Sequence, residues 1–277
     1  MAVLQLRRTR AHRTGLHQST EVYMKPVSVV ALLIRILCAG AAATCLHATA
    51  ANISVLAPNA TKESVSEAVT NFEKSSGNTV IVSWAGTEAI TKRITEGEVA
   101  DVVVNAAQNI DRLTTEGKLS QGSRTDFARS SIGVAVAPSA LRPDVSSIEG
   151  LKSALLGAKS IVISLGTSGR YLSDLFSSLG VGEQIKAKVK QPPSGAQIGD
   201  ILAAGEAELG FQQISELLHV KGIQFLGPIP EEIQNYTIYS GAAHSRAPKP
   251  EAAQAFLRAL RQPETAAVVR KSGMEPL

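Results

Sequence analysis

The sequence predicts an α/β fold built as two lobes with a ligand cleft between them. Three observations carry that expectation. From Asn52 onward, short apolar runs alternate with amphipathic helical stretches, the pattern of parallel sheets covered by helices. The alternation comes as two β-α series joined by single strands, expected to place residues 51–131 with 238–277 in one lobe and 132–237 in the other. Small, hydroxyl-rich turns fall at the carboxyl ends of the strands, where ligands sit in such sheets. No repeat of fixed short period is present, which disfavours a solenoid or propeller.

The first 50 residues stand apart. They hold Arg7, Arg8, Arg10, Arg13, Lys25 and Arg35 against Glu21 alone, then an apolar, Ala-rich stretch ending His47-Ala48-Thr49-Ala50. A basic start, a short apolar run and a small-residue end read as a secretory signal cleaved near Ala50. Met24-Lys25-Pro26 makes a more ordinary start for it, so residues 1–23 read as an over-long upstream extension. The run is too short and too interrupted for the roughly 20 residues of a membrane span. Export to the periplasm is therefore expected, with no stable membrane insertion once the signal is removed.

Without residues 1–50, the 28 basic and 24 acidic side chains fall to 22 and 23, so the formal charge of +4 belongs to the leader. No nucleic-acid partner is implied. Both cysteines, Cys38 and Cys45, leave with it, and only His219 and His244 remain of the histidines. That excludes disulfides, thiolate nucleophiles and His-rich metal sites; no metal and no cofactor is expected.

Taken in order, Asn52–Leu56 reads as a strand and Lys62–Lys74 as an amphipathic helix through Val65, Ala68, Val69 and Phe72. Thr79–Trp84 is a second strand, followed by a helix through Ile90 and Ile94. Ala100–Asn105 is a third strand and Ile110–Leu119 a short helix. Ile132–Val136 is a clean apolar strand. Beyond Gly150 come helix Leu151–Leu156, strand Ser160–Ile163, a helix over 170–179, strand Lys186–Val189, helix Ala196–Ala203 and strand Ala207–Gln212. Strands Val220–Phe225 and Tyr236–Ser240 precede terminal helices Pro250–Leu260 and Ala266–Lys271.

The stretch Ser164-Leu165-Gly166-Thr167-Ser168-Gly169-Arg170-Tyr171 lies between a strand and a helix start. Its glycines permit close backbone approach, its hydroxyls donate hydrogen bonds, and the first-turn amides of the helix attract an anion. No Walker loop, G-x-S-x-G elbow, H-E-x-x-H or C-x-x-C occurs. What remains is neutral donors at strand ends, suited to a small oxyanion or carboxylate. Candidate ligand-binding residues are Asn59, Thr61, Gly86, Thr87, Arg129, Ser130, Thr167, Ser168, Gly169, Arg170 and Gln213.

Trp84-Ala85-Gly86-Thr87-Glu88, with Lys92-Arg93-Ile94, Gly97 and Ala100-Asp101-Val102, resembles a segment of the periplasmic molybdate-binding (ModA-like) proteins. Thr167-Ser168-Gly169-Arg170-Tyr171 is similar to their P-A-G-x-Y turn, and Gly205-Glu206-Ala207-Glu208-Leu209-Gly210-Phe211 to their G-E-A segment. Phe256-Leu257 and Val268 through Glu275 resemble their ending. The resemblance spans residues 52–277 and implies a type II periplasmic solute-binding fold with the ligand in the cleft between lobes. Ala60 stands where the family has an oxyanion-binding Ser, Thr87-Glu88 replaces a Ser-bearing turn, and Gln213 stands where the family has Tyr. Gly210 through Leu217, the 164–172 turn and Ala128-Arg129-Ser130-Ser131 resemble a divergent branch that includes aconitate isomerase.

Two functions follow from the resemblance. The first is a monomeric binding protein that captures a small anion, an organic carboxylate or a molybdate- or tungstate-like oxyanion, for an ABC permease. The alternative is an isomerase that moves a proton between allylic carbons of a tricarboxylate. Glu88, Tyr239 and His244 are then the candidates for proton transfer.

Overall fold

A computed structural model of the protein describes residues 51–277. The secretory signal read over residues 1–50 lies outside the described residues. Among the described residues, no helix is long and apolar enough to cross a membrane.

The first β-α series forms a six-stranded sheet. Strand β1 (Asn52–Pro58) leads through a 3₁₀ turn at Asn59–Thr61 into helix α1 (Lys62–Ser76), which ends at Gly77 in the left-handed conformation. Strand β2 (Thr79–Ala85), helix α2 (Thr87–Thr95), strand β3 (Val102–Ala106) and helix α3 (Ala107–Thr115) follow. Strands β1, β2 and β3 are parallel, so their carboxyl ends and the helix starts share one edge. Strand β4 (Thr125–Ser130) then leads into the second lobe.

That lobe is a five-stranded sheet begun by β5 (Ile132–Val136) and helix α4 (Ile148–Gly157), which Ser147 caps by accepting from the Gly150 amide. Strand β6 (Ile161–Ile163), helix α5 (Thr167–Ser178), helix α6 (Gly182–Ile185) and strand β7 (Val189–Lys190) come next. Helix α7 (Ile198–Ala203), strand β8 (Leu209–Gln213), the one-turn helix α8 (Ile214–Leu217) and strand β9 (Gln224–Pro228) complete it. The chain returns through β10 (Thr237–Ala243), helices α9 (Pro250–Ala259) and α10 (Pro263–Lys271), and β11 (Glu275–Pro276). The sheet orders are β11-β4-β10-β3-β1-β2 and β7-β6-β8-β5-β9. This is the two-lobed α/β fold expected, crossed once between β4 and β5 and once between β9 and β10.

Both sheets are covered on both faces, which explains the near-continuous apolar strands. In β1, Ile53, Val55 and Ala57 pack under α1 and α9, whereas Leu56 packs on the other face against Ile90, Ile94 and Ile110. Val102 and Val104 divide from Val103 in the same way. In the second sheet, Val134 and Phe211 face Leu151 and Phe176, while Ala135 and Val162 face Ile198 and Leu202.

Several elements differ from the sequence reading. Residues 186–188 form a 3₁₀ turn, and only Val189–Lys190 pair as a strand. Helix α5 begins at Thr167 rather than 170, and β9 begins four residues later than expected, at Gln224. Strand β4 was hidden because Thr125, Asp126, Arg129 and Ser130 dilute its apolar signal; its pairing with β10 supplies the order.

A buried carboxylate ties the first sheet together. Asp101 is 2 % exposed and accepts from the Ser54 amide at 2.8 Å, the Ser54 hydroxyl at 3.0 Å and the Lys249 amide at 2.9 Å. Asp101→Ala strands these donors, at on the order of 1–3 kcal/mol for each one left unsatisfied. A loss of about 3 kcal/mol is expected, a fall of roughly 6–12 °C in unfolding temperature for a chain of this size. Calorimetry checks it.

Candidate functional site

The edge of the first sheet where β1 and β2 end faces the edge of the second sheet where β6 and β8 end, and the turns from both sides enclose one small cleft. Its wall from the first lobe is Pro58, Asn59, Ala60, Gly86, Thr87 and Tyr239. The second lobe supplies Ser164 through Ser168, Ser194 through Ala196, Gln212, Gln213 and Glu216. With the lobes as they stand the cavity is ≈ 40 Å³, roughly three water positions at about 10–15 Å³ each. A ligand larger than a small ion therefore sets a slightly wider separation.

The starts of α2 and α5 both point into this space. Gly86 and Gly166 occupy their extended N-cap positions, neither with a side-chain cap. The amides of Thr87 and Glu88, and of Thr167 and Ser168, have no acceptor within their own helices. The positive ends of two helix dipoles thus converge with the turn at Asn59. Thr167 Oγ1 is buried here without any partner, while Ser164 and Ser168 hydroxyls pair at 3.0 Å. Beneath α2, Asn105 donates to the Thr87 carbonyl at 3.1 Å and to Thr91 Oγ1 at 3.0 Å, fixing the helix start.

The lobes touch at the mouth. Asn59 Nδ2 donates to the Gly195 carbonyl at 3.0 Å, and the Ala89 amide donates to Ser194 Oγ at 3.3 Å. Arg170 Nη1 lies 2.7 Å from Glu88 Oε1, closing an ion pair between lobes. Gly86 is required where the backbones meet, since a Cβ there would collide with Ser194 Oγ and the Gly195 amide.

The floor holds the acid. Gln212 donates to Glu216 Oε1 at 2.8 Å, and is itself held by the Ile198 amide, which donates to its Oε1 at 3.0 Å. Glu216 as a residue is only partly buried, but its carboxyl is withdrawn from water, and burial pushes its pKa up to about 8 against a weaker opposing hydrogen bond from Gln197. Burial, and secondarily the charge of Glu216, raises the Tyr239 phenol well above its ordinary value, so it remains a hydrogen-bond donor.

Of the residues proposed from sequence, Asn59, Gly86, Thr87, Thr167, Ser168, Gln213 and Tyr239 line the cleft. The others are placed elsewhere. Thr61 is fully buried and its hydroxyl donates to the Pro58 carbonyl at 2.9 Å. Gly169 sits behind the cleft, where a Cβ would run into the Ser164 carbonyl oxygen, so its role is close packing of α5. Glu88 and Arg170 are spent on each other at the mouth. Arg129 lies on the outer strands, paired with Glu275 at 2.5 Å and stacked 4.6 Å from the Tyr236 ring. Ser130 is fully buried at the crossing between lobes, and Gln213 spends its amide there. Oriented to satisfy both ends, that amide donates to Ser130 Oγ at 2.9 Å and accepts from Thr237 Oγ1 at 2.9 Å.

His244 is also misplaced by the sequence reading. It follows β10, whose other end, Tyr239, reaches the cleft; His244 bridges to Leu119 at the far edge of the sheet. It is 2 % exposed, and burial lowers its pKa. Conversely, Ser194, Gly195 and Glu216 went unrecognised. Pro192-Pro193-Ser194-Gly195 carried a turn signal, but nothing local marked Glu216 as enclosed. Among the described residues, no three His, Cys, Asp or Glu side chains gather as metal ligands.

Gly86→Ala should leave both sheets folded while holding the lobes apart. The expected outcome is an unfolding temperature near that of wild type and a larger radius of gyration in small-angle scattering; an unchanged radius would show that the contact does not govern closure.

Comparison with known proteins places this geometry. Residues 53–275 match the model of a family described as bacterial extracellular solute-binding protein. An aconitate isomerase of Pseudomonas sp is 35 % identical over 231 residues, 81 % of this chain and 88 % of that protein. The molybdate-binding protein ModA of Azotobacter vinelandii is 29 % identical over 184 residues, 65 % of this chain and 68 % of its own. The solved periplasmic molybdate-binding protein of Azotobacter vinelandii has the same fold, with TM-score 0.68 at 18 % identity over 80 % of this chain and 98 % of its own. The chain thus belongs to the bacterial extracellular solute-binding protein family.

Proposed function

We propose that this solute-binding protein is exported through its N-terminal signal and captures a small organic polycarboxylate in the cleft. The observation that carries this reading is Glu216, a carboxyl of raised pKa at the floor of a cavity otherwise lined by neutral donors. Held mostly protonated at neutral pH, Glu216 offers one hydrogen bond to a ligand oxygen. In its ionised form it repels a compact tetrahedral dianion at close range, about 4 kcal/mol per charge pair at 4 Å and an effective dielectric of 20. A polycarboxylate spreads its charge. One carboxylate sits at the helix starts by Thr87 and Thr167, and another part of the ligand accepts the Glu216 proton. Ala60, in the wall, leaves room on the first-lobe side and offers no hydroxyl. Closure then proceeds by hinge motion around the Gln213 cluster, with delivery to an ABC permease.

A second reading is favoured by the same carboxyl together with the aconitate isomerase relative. A group that ionises near neutrality, facing a closed cleft, suits reversible proton transfer. In that reading the protein isomerises a tricarboxylate of the aconitate class.

Both readings place carboxylates, not molybdate, in the cleft. Thermal unfolding of residues 51–277 with cis-aconitate, trans-aconitate, citrate, sulfate, molybdate and tungstate decides this. A ligand at a hundred times its dissociation constant adds about 2.7 kcal/mol, roughly 5–11 °C here. A shift of that size is expected with at least one tricarboxylate and none with molybdate. A shift with molybdate and tungstate alone would overturn the proposal.

A further inference from the structure

The geometry points to Glu216 as the residue that carries the proton between the two allylic carbons, with a second pocket behind it as the route by which that proton exchanges with water. This inference rests on the isomerase reading above.

Two cavities meet at Glu216, Asn59 and Ala60, and of these three only Glu216 is titratable. On one side it lines the cleft beside Gln212, Gln213 and Tyr239. On the other it lines a pocket of ≈ 210 Å³ with Lys62, Glu63, Gln197, Ser215 and His219. Ser215 Oγ is buried there without a partner. The carboxyl is thus reachable by a ligand from the front while the rear pocket leads from it to the exposed residues Lys62, Glu63 and His219. Helix α8 is a single turn set directly on the end of β8, and the Gln212 hydrogen bond fixes one carboxyl oxygen, so the group is held rather than mobile.

The other cleft candidates do not serve. Tyr239 stays protonated, Glu88 is paired with Arg170, and His244 lies at the opposite edge of its sheet. The charged and titratable groups around Glu216 are Tyr239 in the cleft, Lys62, Glu63 and His219 in the rear pocket, and Asp200 exposed on the neighbouring α7.

The step balances without a co-reactant. The Glu216 carboxylate takes a proton from the substrate methylene, so a C–H bond breaks and an O–H bond forms. The electron pair spreads over the three-carbon allyl unit and its carboxylates. Glu216 then returns the proton to the other terminal carbon, the double bond moves, and the carboxylate is restored. With burial setting the group near 8, roughly one molecule in ten holds the base form at pH 7.

The test is isomerisation of trans-aconitate to cis-aconitate, followed by NMR, in wild type and Glu216→Gln, with binding measured by thermal shift. Wild type should turn over, and Glu216→Gln should bind but lose at least a hundredfold in kcat. Wild type that binds without turnover would defeat the isomerase reading and this inference with it. Turnover retained within threefold in Glu216→Gln would overturn the inference alone. Should that variant not fold, the wild-type profile decides. The inference requires kcat/KM to rise about tenfold per pH unit up to a plateau near pH 8, because only the deprotonated form accepts the proton. A flat profile between pH 6 and 9 would overturn it. In D₂O the product should carry deuterium, and full retention of protium would overturn the rear-pocket route.

Discussion

Helix starts that cannot satisfy their own first-turn amides are the constraint from which the rest of this structure follows. Parallel pairing of β1, β2 and β3 puts the starts of α1 and α2 on one edge of the first sheet, and β6 does the same for α5 in the second. Burying such ends is costly unless something accepts from them. The two edges face each other across the cleft, so one small anion can serve both. Asn105, fully buried under α2, and the Ser164–Ser168 pair beside α5 hold the donors in place before any ligand arrives. That preorganisation reduces the ordering cost of binding.

Closure depends on how near the two backbones come at the mouth. Gly86 allows the approach to Ser194 and Gly195, and Asn59, Ala89 and the Glu88–Arg170 pair close over it. The ion pair is partly solvated, with side chains 28 % and 49 % exposed, and pairs of that kind contribute little stability. Its effect is to orient the lobes. At the other end of the cleft, Gln213 joins β8 to both crossing strands through Ser130 and Thr237. A residue that lines the cleft thus also hydrogen-bonds both segments that connect the lobes.

The cleft is electrostatically mixed, and the mixture bears on function. Neutral donors and helix dipoles favour an anion, yet Glu216 sits among them with its acidity weakened by burial. Groups with strongly perturbed pKa in a cleft concentrate at functional sites. Glu216 also opens to the rear pocket, which separates it from a merely structural buried acid. The solute-binding scaffold thus contains the parts that acid–base chemistry needs, in addition to those that capture needs.

The sequence by itself determined the elements whose physics is local. Strands such as Val102–Val104 and Val134–Val136 announced themselves because both faces are buried, and the small-residue turns at Gly86 and Gly166 marked the helix starts that line the cleft. The two β-α series joined by single strands gave the lobes and the cleft, and the resemblance along the chain agreed with them. Roles that depend on long-range partners stayed hidden. Arg129 looked like a clamp until Glu275, 146 residues away, took it up, and His244 looked catalytic until the antiparallel pairing of β10 put it at the wrong edge. Glu216 gave no local sign, because its raised pKa comes from desolvation, and desolvation is created only when the two lobes and the turn at Asn59 fold around it.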